Sequence, residues 1–376
     1  MIEINCNIFG ISNQFGIVRN VNFDCTKTQK RVLICYLDYN DTSNKLLKKI
    51  SHTNVLECMQ IIKEFINFDF VIDIAFANNN KVQLSERYDY IFGFGSLFRE
   101  AVQKNPQAIK IMYMTENPAE IAIPLEKERM KYFYQLTGLK RKTKRAGLYY
   151  RRGDVDLADY VITVGDIDFY RDKVCFSINP TGLYNSDFDL MQFSKKDAKS
   201  FLWLGSLGAI HKGLDILIEV FKHHPDWTLH VCGLNKLEKF EYKLNLKYPN
   251  IISHGFINIQ SNDFLELVYK TVYTILPSCS EGKSTSILTC MRHGLIPIVT
   301  RNTGFNALSQ YCYLLDNYRI EYVDKYLEQL ISNNDMELLK RKTQLIYEFS
   351  SKNFTIDNYS LTLKNILNKI ILGDTL

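Results

Sequence analysis

Pro277-Ser-Cys-Ser-Glu-Gly-Lys-Ser-Thr-Ser-Ile-Leu-Thr-Cys-Met-Arg-His-Gly294, running into Leu295-Ile-Pro-Ile-Val-Thr300, is the stretch that decides the fold. The β-branched run Thr271–Leu276 precedes it, and the block itself reads as turn, helix and second strand. Two apolar strands joined through a helix form a βαβ unit, whose strands lie parallel with the helix covering one face. The turn holds Glu281, Gly282, Lys283 and the hydroxyl residues Ser284, Thr285 and Ser286, a set suited to a phosphorylated, hydroxyl-rich ligand. Gly282-Lys283-Ser284-Thr285 imitates the end of a triphosphate-binding loop, G-x-x-x-x-G-K-[ST]. That loop needs a glycine five positions earlier, where Pro277 stands with a fixed φ and no N–H. The phosphate-loop reading fails.

The same alternation runs along the chain. Strands are expected at Arg31–Leu37, Phe70–Phe76, Tyr88–Gly93, Ile109–Met114, Tyr160–Val164, Lys173–Ile178, Phe201–Leu204, Thr228–Val231, Ile251–Ile252, Thr271–Leu276 and Leu295–Val299. Amphipathic stretches lie between them at His52–Asn67, Leu97–Lys104, Gly213–Lys222, Asp263–Tyr269 and Ser284–His293. This rhythm predicts an α/β fold of two doubly wound, Rossmann-like domains facing a central cleft, with ligands at the carboxyl ends of the strands. A length of 376 residues exceeds one ordinary core. A polar break runs from Asn179-Pro-Thr-Gly182 to Ser200. The expected division is a first domain over 1–190, a second over 191–352, and a C-terminal helix over 353–376 that can pack back on the first domain.

Composition excludes several classes. The net charge of +5 is too mild for a nucleic-acid partner. Nine cysteines stand singly, without a C-x-x-C pair, which argues against structural zinc and a disulfide framework. No apolar run approaches the roughly 20 residues of a membrane span. The start, Met1-Ile-Glu-Ile-Asn5, lacks the basic and apolar regions of a signal peptide. A cytoplasmic protein is expected.

The second half opens with Phe201-Leu-Trp-Leu-Gly-Ser-Leu-Gly-Ala-Ile-His-Lys-Gly213, a strand, a glycine-bearing loop and Lys212 ahead of a helix. Such a loop lets backbone approach a ligand, and a lysine beside a helix N-terminus favours an anion. Val231-Cys-Gly233, His254-Gly-Phe-Ile257, the Pro277–Thr300 block and Thr303-Gly304 follow in order. Over roughly residues 199–310 this order resembles the C-terminal half of a family 4 (group 1) glycosyltransferase of the GT-B architecture. The resemblance implies a hexosyl-transferring, retaining, metal-independent enzyme of polysaccharide biosynthesis, using no cofactor. It implies a nucleotide-sugar donor and a glycan or lipid-linked acceptor. Lys212 matches the lysine that neutralises the donor diphosphate, and Glu281 the first glutamate of an E-x7-E signature that contacts the donor sugar. Gly205, Gly282, Lys283, Ser284 and Thr285 match the loops beside sugar and phosphates, and Gly255-Phe256 the nucleobase position. Two positions depart from the pattern: Ser206 replaces a basic residue, and Thr289 replaces the second glutamate, which contacts ribose. These departures motivate the alternative of a non-catalytic nucleotide- or glycan-binding member of the same fold.

The first half offers His52 and Glu116 as acceptor-side catalytic candidates. Each lies after an expected strand, although a lone histidine is more often structural. Gly93 and Gly95 form a weak G-x-G. Three Asp-x-Asp triplets (Asp154-Val-Asp156, Asp166-Ile-Asp168, Asp187-Phe-Asp189) invite a metal reading, but turn and cap duty is commoner, and no metal is expected. Basic and aromatic residues crowd Glu126–Arg152, including Arg129, Tyr132, Phe133, Lys140–Arg145 and Tyr150. A surface of that kind suits peripheral contact with an anionic membrane, while a solvated basic face is the commoner use.

Overall fold

The computed structural model describes residues 16–37, 53–142 and 145–373. The chain separates into two compact units. One takes the described residues up to Ala119, then Gly147–Ile178 and the C-terminal stretch from Ile356; the other takes Glu120–Ala146 and Asn179–Thr355. No described helix is long and apolar enough to cross a membrane.

The first unit holds a seven-stranded sheet. Its strands are β1 (Ile17–Val21), β2 (Arg31–Tyr36), β3 (Val71–Phe76), β4 (Tyr90–Gly93), β5 (Ile109–Met114), β6 (Tyr160–Thr163) and β7 (Val174–Ser177), in the order β1-β3-β2-β4-β5-β6-β7. All pairs are parallel except β1 with β3. β2 to β6 are almost wholly buried, which is why they read as predominantly apolar runs. β1 escaped the sequence reading because its central residues are Arg19 and Asn20, which fasten it by charge. Asp73 of β3 is fully buried and accepts from Arg19 at 3.2 Å, Arg31 at 3.0 Å and the Tyr88 hydroxyl at 2.7 Å. The C-terminal helix Ile356–Leu372 packs in this unit on helix Thr53–Asn67, where Ser360 donates to Glu64 at 3.0 Å.

The second unit holds six parallel strands: β8 (Asp197–Leu204), β9 (Thr228–Cys232), β10 (Ile251–Gly255), β11 (Thr271–Leu276), β12 (Ile296–Thr300) and β13 (Tyr313–Leu315). Their order is β10-β9-β8-β11-β12-β13, so the direction of winding reverses between β8 and β11. A crevice opens at such a switch point, outside the carboxyl ends of the two strands. Phe201, Trp203, Tyr273 and Ile298 from the sheet join Leu217, Ile287 and Val323 from the helices in one buried core.

Two sequence readings change here. Asp197–Ser200 is not linker but the start of β8; its charges are tolerated because that end of the strand lies at the sheet margin. The polar segment Asn179–Asn185 before it is strapped down, with Gly182 N–H on Phe354 O at 3.0 Å, Arg292 on Gly182 O at 2.6 Å and Asn185 N–H on His293 at 3.1 Å. Nor is Glu126–Arg152 one basic surface. Helix Ala119–Thr137 buries Met130, Tyr132 and Phe133 in the core of the second unit, and Arg129 is fully buried against Asp215. Tyr150 is buried in the first unit, where its hydroxyl donates to Tyr113 O at 2.9 Å. Arginine and tyrosine carry long apolar bodies, so a basic and aromatic run is equally able to face inward when partners exist.

Candidate functional site at the β8–β11 switch point

The loop after β8 runs Gly205–Gly213 and the loop after β11 runs Pro277–Ser284, and they meet closely. Gly213 has φ +71°, and a Cβ there would collide with Pro277, so only glycine allows the contact. A Cβ on Gly205 would overlap the Trp203 indole, which lies beneath the loop and donates from Nε1 to Lys212 O at 3.2 Å. Cys279 N–H closes the junction on His211 O at 2.9 Å.

Glu281 is the centre of charge. It is 6% exposed, its N–H bonds Asn302 O at 2.9 Å, and its carboxylate receives the Lys212 ammonium. The Arg145 guanidinium reaches the other carboxylate oxygen at 3.3 Å and also holds Leu207 O at 3.2 Å. His211 Nε2 stands 3.8 Å from Glu281 and donates to Ser280 O. Its Nδ1 lies 3.4 Å from both Glu126 and the Cys279 sulfur. Burial pushes the Glu281 carboxyl up, but Arg145, Lys212 and His211 outweigh it and bring its pKa to about 2. Burial likewise disfavours a charged His211, yet Cys279, Glu126 and Glu281 raise its pKa to about 10. At neutral pH three cations thus surround Glu281, with Glu126 as the further anion behind His211.

This arrangement sets a pH dependence. A depressed carboxyl stabilises the fold fully above its unfolded pKa of about 4.3 and loses that contribution as pH falls through the native value. The unfolding gap between wild type and Glu281→Gln is therefore expected to narrow as pH falls from about 4.3 to about 2. Chemical denaturation across that range measures it, and a constant gap would remove the ion-pair account.

The switch point brings together Lys212, Glu281, Gly205, Ser206, Gly282 and Lys283; Ser206 is exposed and Lys283 is 8% exposed. Gly255 ends β10 and Phe256 follows it at the carboxyl end of the same sheet, with Gly233 N–H on Gly255 O at 2.6 Å and Phe256 75% exposed. Ser284 occupies the cap position of helix Thr285–Met291, but its hydroxyl bonds the Ser286 hydroxyl at 2.9 Å rather than a backbone N–H. Capping is therefore not the use of that hydroxyl. Thr289 is buried and its hydroxyl is engaged: it donates to Thr285 O at 2.8 Å and accepts from Leu183 N–H at 3.0 Å. Glu116 follows β5 in the first unit and is half-buried. His52 lies outside the described residues. Gly93 and Gly95 have φ of +122° and +88°, and a Cβ on either would strike Cys35 O or Ala77 O, so the G-x-G serves packing within the first unit.

Arg145, His211, Glu126 and Cys279 were missed as site residues. A contact from a distant segment leaves no local signature; the one available hint was Arg145 at the end of a basic run. The Asp-x-Asp triplets are spent locally. Asp154 pairs with Arg99 at 2.7 Å, Asp168 lies 3.6 Å from Arg171, and Asp189 accepts from Met191 N–H at 2.9 Å. Among the described residues, His224, Asp324 and Glu328 form a group able to hold a metal ion, at the opposite end of helix Leu214–Phe221 from Lys212.

Residues 189–347 match the family model described as glycosyl transferases group 1. No curated relative matches the chain by sequence. The chain is similar in fold to sucrose-phosphate synthase (tll1590) from Thermosynechococcus elongatus, at 11% identity and TM-score 0.62, covering 92% of this chain and 100% of that one. It is also similar to Anabaena Alr3699/HepE in complex with UDP-glucose, at 13% identity and TM-score 0.57, covering 90% and 99%. The shared architecture is the pair of Rossmann-like sheets of GT-B glycosyltransferases.

Proposed function

We propose that this chain, a glycosyltransferase by the group 1 domain it carries, moves a sugar from a nucleotide-sugar to a glycan or lipid-linked acceptor. One observation carries the reading: Lys212 and His211, both buried, and the partly exposed Arg145 converge on the single carboxylate of Glu281 at the switch point. Departure of a nucleoside diphosphate builds negative charge at one place, and preorganised cations in a dry site stabilise it most. Lys212 and Arg145 take the diphosphate oxygens in this scheme, Arg145 standing in for the charge that Ser206 lacks. Glu281, released from its cations, accepts from the donor sugar hydroxyls. Gly205, Ser206 and the Gly282–Thr285 loop supply close backbone and hydroxyl contacts, and Gly255-Phe256 lies under the base. Protein cations at the leaving group are what support a metal-independent reaction, and retention of configuration follows the family resemblance. Glu116 and His52 remain acceptor-side proposals.

UDP-glucose, named in the similar Anabaena structure, is the first donor to test. It should raise the melting temperature, and Arg145→Ala should weaken UDP about tenfold while leaving uridine binding unchanged, as loss of a charge-assisted bond to phosphate predicts. A panel of nucleotide-sugars that gives no shift would sink the donor site.

The rival reading, a binding protein without turnover, draws on Thr289. Its hydroxyl is engaged with Leu183 and Thr285 and it is 3% exposed, so it offers ribose no carboxylate. Restoring glutamate should not restore that contact. Thr289→Glu is expected to lower stability by about 1–3 kcal/mol, because Leu183 N–H loses its acceptor and the packed segment is forced outward. Thermal unfolding with and without UDP-glucose measures both effects. Tighter donor binding without loss of stability would instead put position 289 at the nucleotide. Nucleotide release in the presence of acceptors separates enzyme from binder.

A further inference from the structure

Helix Lys236–Glu241 is amphipathic in reverse. Of its two acidic residues, Glu241 is half-buried at the helix end, while Glu238 is buried and accepts from Gly208 N–H at 2.9 Å and Ala209 N–H at 3.2 Å. Its apolar residues face water: Leu237 is 77% exposed and Phe240 87%. The register cannot relax, since Asn235 caps the helix on Leu237 N–H at 2.8 Å and Glu238 is tied to the β8 loop. Exposed Lys236, Lys239 and Lys243 flank the two apolar side chains. A second segment lies against this helix: Arg141 donates to Glu241 O at 3.0 Å, and Phe133 meets Tyr242 edge-on at 5.7 Å. That segment adds the exposed Tyr134, Leu136, Lys140 and Lys142, and no acid lies between Tyr134 and Lys142.

We propose that this basic and apolar edge of the second unit, centred on Leu237 and Phe240, docks on an anionic bilayer. An apolar pair flanked by three exposed lysines against one half-buried acid, Glu241, matches the boundary between acyl chains and acidic headgroups, where side chains enter and ammonium groups stay outside. Each lysine adds a salt-sensitive attraction to anionic lipid. The surface that binds the membrane is thus distinct from the Glu126–Arg152 run as a whole, whose Arg129, Tyr132, Phe133 and Tyr150 are buried. Glu238 joins the docking helix to the loop that carries Lys212, so the donor site would sit at the membrane surface, within reach of a lipid-linked acceptor. That last consequence rests on the proposed transfer reaction; the docking itself does not.

The experiment is co-sedimentation of the full chain with vesicles of phosphatidylglycerol in phosphatidylcholine, against phosphatidylcholine alone, at low and high salt. Binding to the anionic vesicles alone, lost in high salt, is expected. Leu237→Ser with Phe240→Ser should weaken it about tenfold or more, the order set by withdrawing two apolar side chains. Lys236→Glu with Lys239→Glu should abolish it, and both variants should keep the wild-type melting temperature. No binding to anionic vesicles, or equal binding by the serine variant, overturns the proposal. So does a wild-type dimer in light scattering that the serine variant turns into monomer, since the edge would then receive a second copy. Because the readout needs no sugar donor, a failed transfer assay leaves it intact, and a failed vesicle assay leaves the transfer reading intact.

Discussion

Lys212→Ala is expected to lower turnover by about 10²–10³-fold, the loss typical when one preorganised charge partner of a transition state is removed. The ammonium is nearly enclosed, paired with Glu281, and carried by a loop that Trp203 and Gly213 hold rigid. Because its position is fixed beforehand, little reorganisation is needed when the diphosphate departs. The fold should survive, since Glu281 keeps Arg145 and His211 as partners and is not left as an unpaired buried charge. Donor affinity should fall less than turnover, because charge is greatest in the departing diphosphate and smaller in the bound donor. Initial rates of nucleotide release against donor concentration separate the two, with melting temperature as the check on folding. Unchanged turnover would remove Lys212 from the chemistry.

The largest stability effect is expected at a different pair. Asp215→Ala leaves the fully buried guanidinium of Arg129 without its counter-ion, and breaking such a pair costs about 3–5 kcal/mol. The Tyr318 and Tyr132 rings, 5.4 and 5.9 Å from the guanidinium carbon, soften the loss but bring no negative charge. Helix Ala119–Thr137 is anchored to the second unit through this contact and through Met130 and Phe133, so the variant should also expose the chain following Thr137 to protease. Replacing both partners, Arg129→Met with Asp215→Leu, should recover most of the stability, because the cost lies in the orphaned charge and not in the missing attraction. Urea unfolding of the three variants measures this. A loss below about 1 kcal/mol for Asp215→Ala would mean that water already reaches the pair.

The sequence made some of this legible and concealed the rest for identifiable reasons. β8, β9, β11 and β12 are buried on both faces, so composition alone marked them. Lys212 and Glu281 could be singled out because each sits beside glycine in a loop between strand and helix, in an order of motifs that resembles a known family. Arg145 and Arg129 could not: within one basic run, one arginine enters the site, one is sealed in the core, and Lys127, Lys131, Lys140 and Lys142 stay in water. What separates them is a carboxylate far along the chain, Glu281 or Asp215, and no local pattern encodes that. β13 was missed because Tyr313–Leu315 has only three residues, too few for a period to register. Thr289 was assigned by its spacing from Glu281, whereas its surroundings are set by Leu183, which spacing does not reveal.

The indole beneath Gly205 has a practical consequence. The chain has two tryptophans, and Trp227 lies stacked on His224 at 3.7 Å, remote from the switch point. Trp203 is sealed in the core with its one polar atom on the carbonyl of Lys212. Any anion seated beside Lys212 changes the electric field at that indole without moving the loop. A Trp227→Phe variant therefore becomes its own optical reporter, in which emission from a single ring follows occupancy of the site in real time, without label, substrate turnover or knowledge of the acceptor.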